Sequence, residues 1–324
     1  MSLKYLFNVW VGIVLVSSLL STAHAVKPVR PPVKVLVNPY NVVVEAKAVS
    51  DIENGKVVFE IKETLFGKSE DKVTLRLNEA ATEAFKKGQT YLIVYSHIMK
   101  HPIVRDEKVQ DPDGPRILNY MLLRAAMFDT NKEVKALFDA QIQGAPKKPS
   151  QMVALLLKQM KSNNPLNRQI GIFELHMQPK WLPHFTDKQR SEFKEVIAGG
   201  TLSNEMQTYA LKSFLKMDVD SDKEWLAEQA RSIIKQHGSQ VKLASFVPGL
   251  IIEAADVLGS VGTKEDIKML NGLLDSNSPS VARTAFQSMA KLDENSAKTL
   301  AQIAVNERTL LNDTRRILEN YIKK

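Results

Sequence analysis

Apolar residues in this chain recur every second position as far as about Leu92, and every three to four positions beyond Ser150. The two periods demand different backbones. Side chains alternate faces along a strand, whereas a helix returns to one face only after 3.6 residues. In the first half, Val44, Ala46 and Ala48 alternate with Glu45 and Lys47. Val57, Phe59 and Ile61 alternate with Val58, Glu60 and Lys62, and Val73, Leu75 and Leu77 with Thr74 and Arg76. These are strands with one wet face. Asn54-Gly55 marks a two-residue hairpin turn, because both positions tolerate positive φ. Gly67 begins the break before the third strand. Tyr91-Leu92-Ile93-Val94-Tyr95 is apolar without interruption, which predicts a central strand covered on both faces. Glu79 to Lys87 reads as a short helix closed by Gly88.

The loop Asp111-Pro112-Asp113-Gly114-Pro115 ends the alternation. Ile117 to Phe128 then reads as a helix. Thr130 and Glu133 have capping-box spacing for a second helix, with Val134, Leu137, Phe138 and Ile142 on its apolar face. Gln143-Gly144-Ala145-Pro146-Lys147-Lys148-Pro149 carries no period and is expected to divide two domains. Beyond it, about ten helices in five hairpins are expected. Their starts are marked by Asn164-Pro165, Ser278-Pro279, Thr263 and a Ser221/Glu224 capping box, and Gly199-Gly200 marks an end. Val153, Leu156, Leu157 and Met160 form one inner face, and Val281, Ala285, Met289 and Leu292 another. The expected fold is α+β: a small β-rich domain over 33–142, a linker over 143–149, and an all-α domain over 150–324.

The helical hairpins resemble one another. Asp266 to Leu292 reads as a helix, a short Asn/Ser/Pro turn, and then Val281-Ala282-Arg283-Thr284-Ala285. Asn163-Asn164-Pro165-Leu166-Asn167-Arg168-Gln169-Ile170-Gly171 resembles the same turn and second helix. Small residues recur in the second helices at Gly171, Ala210, Ala255 and Ala285. This half resembles HEAT-type repeat proteins, which implies a solenoid of stacked helix pairs with a binding face. An irregular helical bundle is the alternative. In the first half, Lys56-Val57-Val58-Phe59-Glu60-Ile61, Leu65-Phe66-Gly67 and Phe85-Lys86-Lys87-Gly88-Gln89-Thr90-Tyr91-Leu92-Ile93-Val94 resemble netrin-like and inhibitor-of-metalloproteinase domains. That implies a small OB-type barrel. Those domains usually carry cysteines, and this chain has none.

The N-terminus has the layout of an export signal. Lys4 precedes the apolar run Val9 to Val16, and small residues lead to Ala23-His24-Ala25. Cleavage is expected between Ala25 and Val26, after which 26–32 form a proline-rich lead-in. The segment Tyr5–Leu20 has 16 residues and includes Asn8, Ser17 and Ser18, whereas a spanning helix needs roughly 20 apolar residues. No transmembrane segment is expected after cleavage. The absence of cysteine rules out thiol catalysis, zinc–thiolate sites and a lipid-modified N-terminal cysteine, and it suits a bacterial periplasm. The formal charge of +8 is spread out: 18 Lys/Arg against 16 Asp/Glu in 26–145, and 25 against 20 in 146–324. The expected partner is therefore another protein, or an anionic envelope component, rather than nucleic acid.

Residues that could carry chemistry each have a plainer explanation beside them. Ser-x-x-Lys occurs at Ser69/Lys72, Ser191/Lys194, Ser213/Lys216, Ser239/Lys242 and Ser288/Lys291, without the Ser-Asp-Asn or Lys-Thr-Gly partners of penicillin-binding enzymes. Five copies in a lysine-rich helical chain read as coincidence. His97, Met99 and His101 make a candidate metal set suited to copper, or else solvent-facing loop residues. Asp218-x-Asp220-x-Asp222 imitates a calcium loop, but Lys223 and Gln229 occupy the glycine and glutamate positions. Acids starting a helix explain it equally. His176, His184 and His237 read as cations at helix ends. Trp181 and Trp225 read as packing between hairpins. No cofactor is expected. The expectation is an exported, non-enzymatic interaction or scaffold protein acting through its helical-repeat surface. The alternatives are an envelope enzyme with its site in the β-rich domain and a low-affinity periplasmic metal carrier.

Overall fold

A computed structural model of the chain describes residues 32–100, 108–120, 124–130, 132–144, 148–242 and 248–323. The expected signal peptide, its Ala25–Val26 junction and nearly all of the lead-in lie outside these residues. After the short helix α1 (Pro32–Leu36), the alternating half forms strands β1 (Asn41–Ala48), β2 (Lys56–Phe66) and β3 (Lys72–Arg76), helix α2 (Glu79–Ala84), and strand β4 (Thr90–Ser96). Shorter strands follow: β5 (Ile98–Lys100), β6 (Lys108–Gln110), β7 (Arg116–Ile117), β8 (Asn119–Tyr120), β9 (Arg124–Ala125) and β10 (Met127–Asp129). Six of them make one mixed sheet in the order β1-β2-β3-β7-β4-β10, while β5–β6 and β8–β9 pair separately.

The pairings of that sheet lead back to their start. β1 pairs antiparallel with both β2 and β4. β2 pairs antiparallel with β3, β3 runs parallel to β7 through Arg76 and Arg116, and β7 pairs antiparallel with β4. Two register shifts in the β1–β2 ladder, between Val43 and Val44 and between Glu45 and Ala46, leave Leu65 and Lys62 as extra residues on β2, which bends around β1, while β1 keeps an unbroken register with β4. Asn54 (φ 51°) and Gly55 (φ 72°) form the predicted turn between β1 and β2. The N–H of Glu53 and that of Lys56 each donate to the other residue's carbonyl at 2.9 Å.

Alternation sorts the side chains into two cores. Val44, Ala46, Phe59, Leu75, Tyr91, Ile93 and Tyr95 pack together within the sheet. Val43, Leu92 and Val94 point the other way and join the core of the helices. β4 is thus covered on both faces, as its unbroken apolar run predicts. α3 (Lys132–Ile142) buries Val134, Leu137 and Phe138 against this outer face, and Lys135 bridges Glu45 and Glu63 from β1 and β2.

Two local expectations are corrected. The described part of 117–128 is strand, not helix. β7 fills the gap between β3 and β4, and β10 continues along the same edge of β4, opposite β1. Tertiary pairing thus overrides helix-forming composition. The Thr130 hydroxyl caps nothing; it is buried without a hydrogen-bond partner among the described residues.

The second half folds as helix follows helix: α4 (Pro149–Met160), α5 (Pro165–Met177), α6 (Asp187–Ala198), α7 (Asn204–Leu215), α8 (Lys223–His237), α9 (Gly249–Val261), α10 (Ile267–Asn271), α11 (Pro279–Leu292), α12 (Glu294–Glu307) and α13 (Asn312–Ile322). Asn164 Oδ1 accepts from Leu166 N–H at 2.9 Å, with Pro165 opening α5. Pro279 opens α11 in the same way. The Asp266 carboxylate accepts from Thr263 N–H at 2.9 Å. The Ser221/Glu224 box is not formed: α8 starts at Lys223 behind a 3₁₀ turn over Asp220–Asp222.

The ten helices pair as five hairpins, and each second helix packs on the next in the row α5, α7, α9, α11, α13. This half is solenoid-like. Small residues set the approach of the helices. A Cβ on Gly171 would lie 2.8 Å from the Leu156 carbonyl oxygen, and one on Gly259 would lie 2.6 Å from Ser288 Cα. Ala210, Ala255 and Ala285 are fully buried. One apolar core runs from Val43 and Phe128 through α3 and α4 to Leu318 in α13. Its members come from both sides of 143–149 in the chain; residues 145–147 lie outside the described residues. None of the described helices is long and apolar enough to cross a membrane.

Candidate functional site

The row of second helices presents a continuous polar and aromatic stripe. Its members sit at helical spacing: Phe173 and His176 on α5, Tyr209, Lys212 and Lys216 on α7, Glu253 and Asp256 on α9, Arg283, Gln287 and Lys291 on α11. Contacts carry the stripe from helix to helix. His176 stacks on Tyr209 with centroids 4.5 Å apart and planes at 18°, and Phe173 meets the same ring at 5.8 Å. Asp256 pairs with Lys291 at 2.9 Å. Gln287 Nε2 donates to the Tyr321 hydroxyl at 2.7 Å, and Tyr321 stacks on Phe286 at 4.6 Å.

Burial shifts the ionisable groups at the centre of the stripe. Glu253 is 7% exposed, and burial raises its carboxyl to about 7, against the pull of Lys212 and Lys216 and with a push from Asp256. His176 moves the other way: burial first, then Lys216 and Lys212, lower it to about 4. Its Nδ1 is buried without a hydrogen-bond partner among the described residues. His176 is therefore neutral, which corrects its reading as a helix-end cation. Burial and then Glu205, which accepts the Tyr209 hydroxyl at 3.2 Å, raise Tyr209. Perturbed groups gathered on one face mark a site worth testing.

At its C-terminal end the stripe opens into a cleft of about 570 Å³ lined by Asp256, Phe286, Gln287, Lys291, Lys298 and Tyr321, among others. Phe286 and Tyr321 give the cleft its aromatic lining, and Asp256, Lys291, Glu294 and Lys298 its charged one. The exposed residues of the stripe include the cations Lys212, Lys216, Arg283 and Lys291. Sequence reasoning passed over this face because an i, i+4, i+7 polar stripe looks like any solvated helix surface. The available signal was its recurrence on successive second helices.

Apart from His176, Lys216 and Lys291, which lie on the stripe, the residues singled out from sequence lie elsewhere or serve packing. His97 is exposed, with its ring edge-on to Tyr95 at 5.5 Å. The Met99 side chain and all of His101 lie outside the described residues. Among the described residues, no group of three His, Asp or Glu side chains is placed to hold a metal. Asp218, Asp220 and Asp222 do not form one cluster: Asp218 and Asp220 both reach Lys223, Asp218 at 3.6 Å, and Asp222 turns elsewhere. Asp222 is buried between Arg190 (2.8 Å) and Lys194 (2.6 Å), while Asp220 pairs with Lys223 at 2.6 Å. Among the described residues, Ser213 and Ser288 of the Ser-x-x-Lys pairs have buried hydroxyls without hydrogen-bond partners, and the Ser69 hydroxyl meets Tyr95 at 2.8 Å. Trp181 is 6% exposed, under Lys180 Nζ at 4.3 Å. Trp225 packs on Phe214 at 5.0 Å. No protein-family model matches the chain, and no curated protein matches it either.

Proposed function

We propose that the protein is an exported, non-enzymatic interaction or scaffold protein of the bacterial envelope, which binds an acidic protein surface along its second helices. The observation that carries this reading is the stripe itself: exposed cations on α7 and α11, beside the stacked ring pairs His176–Tyr209 and Phe286–Tyr321. Interfaces favour aromatic anchors within polar rims, and a basic face steers an acidic partner toward it. A HEAT-type reading of the helical half is supported by five hairpins stacked with small residues between them. An OB-type barrel is supported by five strands paired in a circuit, with a parallel β3–β7 contact and a helix between β3 and β4. Export with cleavage after Ala25 is supported by the N-terminal pattern alone.

The test uses the full chain as bait in envelope extract, with any specific partner quantified by mass spectrometry. Lys212→Glu/Lys216→Glu/Lys291→Glu is expected to lose that partner. Lys235→Glu/Lys268→Glu, on the first helices, is expected to keep it. Equal recovery by both variants, or loss only in the second, would sink the reading.

A further inference from the structure

We infer that the sheet half holds a second site, a pocket for an organic oxyanion gripped by Arg76 and Arg116. The two arginines are partners in the parallel β3–β7 pairing, so their side chains leave one end of the sheet together. Both are half-buried, at 32% and 38% side-chain exposure. They line a pocket of about 320 Å³ with Leu77, Asn78, Ile117, Leu118 and Asn119. That volume is at the small end for ligand pockets, roughly 300–1,000 Å³. It exceeds what a bare inorganic ion fills, so the anion is carried on a small organic body.

The pocket's polarity follows from its fixed hydrogen bonds. Asn78 Oδ1 is committed to the Ala81 N–H at 2.8 Å. Its Nδ2 must then donate, and it does so to Asn119 Oδ1 at 2.7 Å. Among the described residues, that leaves the Asn119 amide N–H groups open to donate. Asp111, with its side chain 1% exposed, lies behind both arginines: 3.0 Å from Arg76 Nη2 and 3.6 Å from Arg116 Nε. Its other oxygen accepts from the Asp113 N–H at 3.1 Å, so it is held as an orienting group. Among the described residues, that long contact is the Arg116 guanidinium's one partner. The open groups are therefore all donors, arranged as forks that match carboxylate or phosphate oxygens.

Asp113 supplies the displaceable element. Its carboxylate, 66% exposed, pairs with Arg76 Nη1 at 2.6 Å. An exposed pair of this kind is held weakly. An incoming oxyanion replaces Asp113 on Arg76 and completes the coordination of Arg116. This site is independent of the second-helix face, so either proposal can fail without the other.

The full chain is titrated calorimetrically with phenyl phosphate and, separately, with N-acetylglycine, while arginine Nε–H resonances are followed by NMR. Saturable one-to-one binding of at least one probe is expected, and the tighter probe identifies the group as phosphate monoester or carboxylate. Arg116→Gln is expected to weaken it about ten-fold or more, since a charged fork is lost. Arg116→Lys keeps the charge without the fork and is expected to recover only part of the loss. Asp113→Asn is expected to tighten binding several-fold by removing the competitor. Absence of saturation in a chain with native circular dichroism overturns the proposal. So does binding that Arg116→Gln leaves unchanged, or binding reduced equally by Lys87→Gln, a remote exposed cation.

Discussion

Glu174 should make this protein lose stability as pH rises through neutrality. The residue lies on α5 and is fully buried. Its carboxyl accepts from the Val33 N–H at 2.9 Å and from Gln178 Nε2 at 2.8 Å, and so ties α1 onto the helical half. Burial raises its pKa from 4.5 to about 7, against both hydrogen bonds. Between these two values the folded chain holds a proton that the unfolded chain has released. The stabilisation that Glu174 contributes is therefore greatest below about 4.5 and falls until the pH passes the folded value. A shift of this size corresponds to about 3 kcal/mol. Glu174→Gln keeps the shape and removes the charge, so it should remove this slope. Urea unfolding of both chains at pH 5, 6, 7 and 8 measures the difference. The variant should be near-neutral at pH 5 and more stable than the parent by about 2–3 kcal/mol at pH 8. Taking the difference cancels the opposing slope of His176, whose lowered pKa stabilises the fold as pH rises from about 4. A difference that stays flat with pH would refute the burial argument.

Four further outcomes follow. Gly259→Ala drives a Cβ to 2.6 Å from Ser288 Cα and should cost about 1–3 kcal/mol by overpacking; an unchanged urea midpoint contradicts this contact. Gly55→Ala, at φ 72° with open space around it, should cost only about 1 kcal/mol, because strain and not collision opposes it. Asp266→Ala removes the buried partner of Arg231 (2.7 Å) and the acceptor of the Thr263 N–H (2.9 Å), leaving Arg231 only its exposed partner Glu224, and should cost about 2 kcal/mol in the same assay. Terminal sequencing of the exported protein should begin at Val26; a chain retaining Met1 ends the export reading.

Much of the fold is legible because local chemistry and tertiary packing agree. Asn54-Gly55 fits its turn, Asn164-Pro165 and Ser278-Pro279 open helices, and the unbroken apolar run at Tyr91–Tyr95 serves two cores. The strands within 116–129 were hidden for a physical reason. They are two or three residues long, too short to display a period; the pairing of β7 and β10 is specified by β3 and β4, and β8 and β9 pair with each other. Arg76 and Arg116 are 40 positions apart, and only the parallel pairing brings them together. His176 could not be recognised as neutral from its place near the end of α5, because its burial comes from Tyr209 and the neighbouring helix.

The most direct measurement of the functional account is site-specific photo-crosslinking in whole cells. A photoreactive residue at Gln287, on the second-helix face, should yield one discrete adduct, and the same residue at Lys268, on a first helix, should yield none. An adduct from Lys268 alone, or from neither position while the protein is folded and exported, would contradict it.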